Sequence, residues 1–194
     1  MEFREVLNRR RMVRRFQQTP VPSDLIDRIL GTLRHVPTAG FSQGIDVVFL
    51  DTPDAMERFW RTTGMAVDLQ AAARAHLPPV IVLPFSDKRR YLERYSKRDK
   101  AGFGMHVEEG WPVPYWDVDA AMGVMTILLA AVDEGLGGWF FEVFDSETQL
   151  IQDLGVPEGP RLLGAIGLGY PDSGEIPFRA AHRQLDEYVH RGRW

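Results

Sequence analysis

From Ala120 to Val132 the chain carries no charged residue, and the run MGVMTILLAAV inside that stretch reads as a helix apolar almost all round. A helix with no face to offer water predicts a central position, wrapped by other elements in a layered fold. The run falls short of the roughly 18 residues that a bilayer span requires, so no membrane crossing is expected. Asp117 or Asp119 is placed to cap its start by complementing the helix dipole, and Gly135-Leu136-Gly137-Gly138 ends it. With 194 residues, 44% of them hydrophobic and 26% charged, residues 1–194 are expected to form one domain. A chain of this length buries about 70% of its unfolded surface.

The flanking segments supply the layers. Phe3, Val6 and Leu7 predict a short helix over 2–10, followed by an extended stretch from Met12 to Phe16. Ser23 is expected to cap a helix over 24–35 whose apolar face is Leu25, Ile26, Ile29, Leu30 and Leu33, and Pro37 forces the chain into a loop as far as Gly44. Ile45–Leu50 and Val80–Leu83 read as strands separated by a helix opened by Thr52-Pro53. A basic helix is expected over 86–98, and Gly102–Trp116, rich in Gly, Pro and aromatics, reads as a loop or lid (about 99–116). After the central helix come an extended segment from Trp139 to Phe144, a helix capped by Ser146 and stopped by Gly155, and a strand over Leu162–Leu168. The tail from Pro171 is too polar to fold on itself and predicts a surface to lie on, such as a neighbouring subunit.

Several chemistries are excluded or disfavoured. The chain has no cysteine, which removes disulfides, thiolate nucleophiles, Cys-ligated zinc and iron–sulfur clusters, and permits a reducing cytoplasm. The first residues, MEFREVLNRRRM, show neither a signal peptide nor a lipidation motif. Gly40-Phe41-Ser42-Gln43-Gly44 is a literal G-x-S-x-G, but it leaves a helix and enters a strand, the reverse of a nucleophile elbow. His106-x-Glu108 is half of a zinc deaminase signature whose cysteine partner is missing. A net charge of -4 argues against a general polyanion binder. Of two basic clusters, the one from Lys88 to Lys100, with Tyr91 and Tyr95 one turn apart, reads as a solvated helix face. The other, Arg10 to Arg15 in an extended stretch, places guanidinium groups at two-residue spacing, which suits a small planar or phosphorylated anion.

Arg10-Arg11-Met12-Val13-Arg14-Arg15-Phe16, then Pro20-Val21-Pro22, then Val36-Pro37-Thr38-Ala39-Gly40-Phe41-Ser42-Gln43 resemble the opening of the FMN-dependent nitroreductase family. That family begins R-R-S-x-R-x-F, continues P-V-P and reaches A-P-S-x-x-N-x-Q-P-W. The resemblance continues through Gly135-Leu136-Gly137, Leu154-Gly155-Val156-Pro157-Glu158-Gly159 and Gly167-Leu168-Gly169-Tyr170-Pro171, in order over nearly the whole chain. It implies an α+β sandwich, a mainly antiparallel sheet with flanking helices, in a homodimer whose two FMN sites lie at the interface and whose C-terminal extension (about 171–194) wraps over the partner. Carried over by position, Arg10, Arg11 and Arg14 would contact the flavin phosphate, ribityl chain and pyrimidine edge. Pro37, Thr38 and Ala39 would reach the ring from the partner subunit, with Gln43 at the last polar position of that loop. Phe140, Phe141, Glu142 and Val143 would run along the ring, a backbone N–H near Glu142 donating to it, and Arg183 beside His182 would hold the phosphate with Arg10.

The departures matter. Met12 stands where the family has serine, and Phe41 where it has asparagine. Phe41 and the Gly-Gly-Trp-Phe-Phe segment at 137–141 are nearer to the flavin-consuming benzimidazole synthases of the superfamily, which carry an acid at the Met12 position; a deazaflavin in place of FMN is a further alternative. The function implied is hydride transfer from NAD(P)H through FMN to a small electron-poor acceptor such as a nitroaromatic, quinone or enone. The stretch from Lys88 to Trp116 would then cover the site, with Phe103, His106, Trp111, Tyr115 and Trp116 as stacking candidates. A non-enzymatic nucleic-acid-binding module is the remaining reading, and neither nucleic acid nor membrane is the expected partner.

Overall fold

The computed structural model describes residues 1–64, 76–143, 146–174 and 181–194. In chain order the elements are α1 (Phe3–Arg9), α2 (Ser23–Gly31), β1 (Ile45–Leu50), α3 (Pro53–Thr62), β2 (Val80–Ser86), α4 (Lys88–Tyr95), α5 (Tyr115–Asp133), β3 (Gly137–Phe141), α6 (Glu147–Asp153), β4 (Arg161–Leu162) and β5 (Ala165–Gly169). The strands form a sheet of order β1-β2-β5-β3, with β4 paired to β2, and every strand pairing is antiparallel.

Strand β2 shows why the fold is layered. Every residue of it is buried, and alternate side chains point to opposite faces of a sheet. Val80 and Val82 join a core with Leu25, Ile26 and Ile29 of α2 and Val124, Ile127 and Leu128 of α5. Ile81, Leu83 and Phe85 join a second core with Phe59 and Trp60 of α3 and Leu150 of α6. Helices therefore cover both faces, the α+β sandwich expected from the sequence.

Local chemistry sets several boundaries. The Thr52 side chain accepts from the Ala55 N–H at the start of α3, with Pro53 behind it. Ser23 is instead the first residue of α2, after Pro22, and makes no capping bond; the helix tightens to a 3-10 turn over Thr32–His35. The basic helix is shorter than the span 86–98, with Asp87 as its cap. Strand β2 runs through Pro84 to Ser86. The Pro84 carbonyl accepts from Leu163, so its missing N–H faces the interruption between β4 and β5, where no ladder bond is lost. That interruption, at Gly164 with φ +135°, splits the strand expected over 162–168.

The central helix starts earlier than the apolar run, at Tyr115, so Asp117 and Asp119 lie inside it rather than capping it. At 19 residues α5 is long and apolar enough to cross a membrane by composition, which corrects the shorter run read from sequence, but half of it is buried inside the fold. Its other side leaves Val118, Met122 and Met125 exposed, as are Phe3 and Leu7 of α1, a helix that also packs against α5.

Candidate active site

The extended arm after α1 is stitched down at both ends. The Val13 N–H donates to the Gly138 carbonyl of β3 at 3.0 Å, and Met12 bridges Gly138 in parallel fashion. Further on, Gln17 N–H donates to Tyr170 O and Asp172 N–H to Arg15 O, both at 2.9 Å. Asp172 also lies 2.8 Å from His76 Nδ1, and backbone and charge contacts hold its carboxyl below the ordinary range. Gly137 makes the approach of the arm possible, since a Cβ there would sit 2.6 Å from Val13 Cγ2, and Gly138 does the same for α5, where a Cβ would sit 2.6 Å from Leu128 Cδ2.

This fixes what the outer edge of β3 presents. A residue in a strand turns its N–H and C=O to the same side. Phe140 N–H faces away from β5 and lies 3.5 Å from Met12 Sδ, while residues of the other parity serve the ladder to β5. The thioether takes the place of the hydroxyl expected from the family pattern. Between this edge and α5 opens a largely apolar groove of about 520 Å³, lined by Met12, Ala121, Val124, Met125, Leu128, Phe140 and Leu163, with Asp117 and Arg161 at its polar end. Asp117 accepts from Ser86 Oγ at 2.6 Å and Arg161 Nη1 at 2.9 Å. Phe140, Arg161 and Leu163 also line a second hollow, of about 230 Å³, with Glu142 and Glu147.

The loop from Pro37 to Gly44 sits at the N-terminal end of α5. Buried Asp119 accepts there from Ala39 N–H at 2.8 Å and from Tyr91 Oη at 2.9 Å. Burial, with that carboxylate beside it, pushes the Tyr91 hydroxyl well above its ordinary pKa, so it stays a donor. Arg94 Nε donates to Gly40 O at 2.8 Å, and Thr38 Oγ1 accepts from Gln43 N–H at 3.0 Å. The Ser42 hydroxyl donates to Ala39 O at 2.6 Å, which spends it on the loop itself. Phe41 and Gln43 both have positive φ, 59° and 52°.

The structure places Met12 and Phe140 in the wall of one groove, leaves Arg10, Arg11 and Arg14 as the chain neighbours of Met12 on the arm, and gathers Thr38, Ala39, Phe41 and Gln43 into one anchored loop, which follows Pro37. Phe141 instead turns to the opposite core, stacked on Trp60 at 6.1 Å. His182 and Arg183 lie in the exposed tail, where Arg183 bonds Glu187 within the same segment. Of the lid aromatics, Trp111 and Trp116 are buried against Tyr91 and Tyr95, so they pack the lid onto the core; Phe103, His106 and Tyr115 remain exposed. The basic helix pairs its charges internally or nearby: Arg89 with Asp87, Arg94 with Asp99, Lys97 with Glu93, Lys88 with Glu108 and Arg90 with Asp46. Sequence reasoning missed Asp119 as a loop anchor and Asp117–Arg161 as the end of the groove, because both roles depend on residues distant in the chain.

Comparison with known proteins decides the family: the nitroreductase family model matches residues 7–170. The chain belongs to the nitroreductase family. An Archaeoglobus fulgidus protein named as an NADH dehydrogenase/NAD(P)H nitroreductase is 30% identical over 87 residues, 43% of this chain and 50% of that protein, so the match spans half the length of this relative. Among solved structures, a nitroreductase family protein of Streptococcus pneumoniae superposes with a TM-score of 0.77 at 18% identity, covering 98% of this chain and 100% of the other. Nitroreductase CinD of Lactococcus lactis, in complex with 4-nitrophenol, gives 0.76 at 17% identity, covering 97% and 98%.

Proposed function

We propose that this nitroreductase-family chain is an FMN-dependent oxidoreductase that takes electrons from NADH or NADPH and delivers them to a small electron-poor acceptor such as a nitroaromatic or quinone, working as a homodimer. The observation that carries the reading is the edge of β3, where a basic arm and outward-facing backbone lie beside an open apolar groove. The residues fit a flavin by the chemistry of their donors. Arg10, Arg11 and Arg14 offer guanidinium forks for a phosphate and a polar ring edge. The apolar groove walls suit a planar ring. Glu142, two residues beyond Phe140, directs its backbone N–H to the same edge if the alternation continues.

When bound, FMN supplies the capacity to accept a hydride from a nicotinamide and to return electrons to a second substrate. The chain's own residues bind, orient and exclude water. Arginine charge near the pyrimidine edge favours the reduced, more negative form electrostatically. The carboxylate at the groove, Asp117, is engaged by Ser86 and Arg161, and the contribution read for the protein is position and field. The exposed Val118, Met122 and Met125 of α5, with exposed Phe3 and Leu7 on the neighbouring α1, offer apolar surface for a second copy. The tail beyond Pro171, with Arg183, would then reach the partner's site. The lack of cysteine is compatible with a cytoplasmic setting.

The test is anaerobic. The FMN-loaded protein should bleach on addition of NADH or NADPH and regain its colour when a nitroaromatic or quinone is added. A loaded protein that neither nicotinamide bleaches would overturn the assignment.

A further inference from the structure

Outside the groove, side chains from three segments meet at the far end of the arm. Arg15 Nη2 lies 2.9 Å from His76 Nε2, and His76 Nδ1 lies 2.8 Å from Asp172 Oδ2. Arg15 and Asp172 themselves stand 3.6 Å apart, outside hydrogen-bond distance. His76 precedes β2 and Asp172 follows β5, so the ring is a wedge between a guanidinium on the arm and a carboxylate on the body of the sheet.

One form of the ring suits both contacts. A guanidinium can only donate, so the Nε2 that faces it must carry the lone pair, and the hydrogen of a neutral imidazole then sits on Nδ1. Nδ1 is shut off from solvent with the Asp172 carboxylate beside it, which favours the same choice by charge although the pair is not aligned as a hydrogen bond. The other tautomer sets donor against donor at Arg15 and lone pair against carboxylate at Asp172. A doubly protonated ring sets cation against cation at Arg15.

The backbone shows what this cluster holds. Phe16 N–H donates to His76 O and Gln18 Nε2 to Leu77 O, both at 3.0 Å, so the segment before β2 is joined to the arm at Arg15, Phe16 and Gln18. Side chains alternate along an extended stretch, which puts Val13 and Arg15 on one side and Met12 and Arg14 on the other. Val13 is buried against Gly137, whereas Met12 lines the groove. Holding Arg15 therefore fixes which side of the arm faces the groove.

We infer that His76, with its hydrogen on Nδ1, is a positioning residue that clasps Arg15 against Asp172 and so presets the arm that binds the cofactor. The inference rests on the flavin reading above and deepens it by naming a residue outside the groove on which cofactor affinity depends. A preset arm avoids the ordering cost that a loose one would incur on binding.

The test starts with the ring itself. In protein labelled with nitrogen-15 histidine at about pH 8, with the His76 signal assigned by its loss in His76→Gln, Nε2 should show a pyridine-type shift and Nδ1 a pyrrole-type one. An opposite or averaged pattern would overturn the inference and leave the function reading standing. FMN dissociation constants, thermal midpoints and kcat at saturating FMN are then compared for the wild type, His76→Leu and His76→Gln. His76→Leu, which can neither accept nor donate, should weaken FMN binding about tenfold and leave kcat of the loaded enzyme within about twofold. His76→Gln, whose amide carries an acceptor and a donor as the ring does, should stay within about threefold of the wild-type dissociation constant. Unchanged affinity in His76→Leu would contradict the positioning role, as would equal losses in the two variants, which would leave the ring only a packing part. Should His76→Leu not fold, Arg15→Gln breaks the same contact from the exposed arm and should show the same loss. A wild type with the stated tautomer that takes up no FMN would bring down the function reading, and the positioning role with it.

Discussion

The loop from Pro37 to Gly44 and the tail from His182 to Trp194 are both irregular and both lie outside the sheet, yet they are stabilised in opposite ways. The loop is locked by contacts from other elements: Asp119 of α5, and Tyr91 and Arg94 of α4. Among the described residues the tail's hydrogen bonds run within it, Arg183 to Glu187 and Val189 to Leu185, and Leu185, Tyr188 and Trp194 are exposed. One is finished within a single chain. The other carries exposed apolar side chains, and the homodimer proposed above would give them a surface on the second copy.

The largest effect should come from removing the tail. Ending the chain at Gly174 keeps the Phe16–Pro171 bridge but should convert a dimer to a monomer in light scattering. A truncated chain that remains dimeric would break the contrast. Next, Asp119→Ala strands the Ala39 N–H and the buried Tyr91 hydroxyl, and should cost about 3 kcal/mol of unfolding free energy in urea. A loss below about 1 kcal/mol would mean the loop is held elsewhere. The smallest effects form a matched pair. Gly44→Ala, whose Cβ would meet Tyr91 at 2.4 Å and the Asp87 carbonyl at 2.8 Å, should cost about 2 kcal/mol. Gly192→Ala, with nothing within 4 Å despite its φ of +82°, should leave global stability within about 0.5 kcal/mol. Equal costs at the two positions would erase the distinction between loop and tail.

What was legible in the sequence depended on how local its cause was. Strand β1 and helix α3 were readable because β-branched residues, a Thr cap and a Pro at the first turn lie side by side. The family pattern carried the order of the arm, the loop and the glycines near Gly137. The start of α5 was hidden because Pro112 and Pro114 look like loop residues, and Pro114 also suits a helix entrance. Asp119 read as a cap because its partners, Ala39 and Tyr91, are 80 and 28 residues away. Trp111 and Trp116 looked available to substrate, since burial against Tyr91 and Tyr95 is a tertiary fact with no local sign.

The edge of β3, with its basic arm and apolar groove, is the flavin site proposed for this chain. The most direct measurement is the visible absorption spectrum of the purified protein, followed by heat release and chromatography of any coloured compound. A yellow protein that releases FMN is the expected result. A colourless protein that takes up no added FMN would contradict it, and would mean that Met12 and Phe41, in place of the family's serine and asparagine, have closed the site to the cofactor.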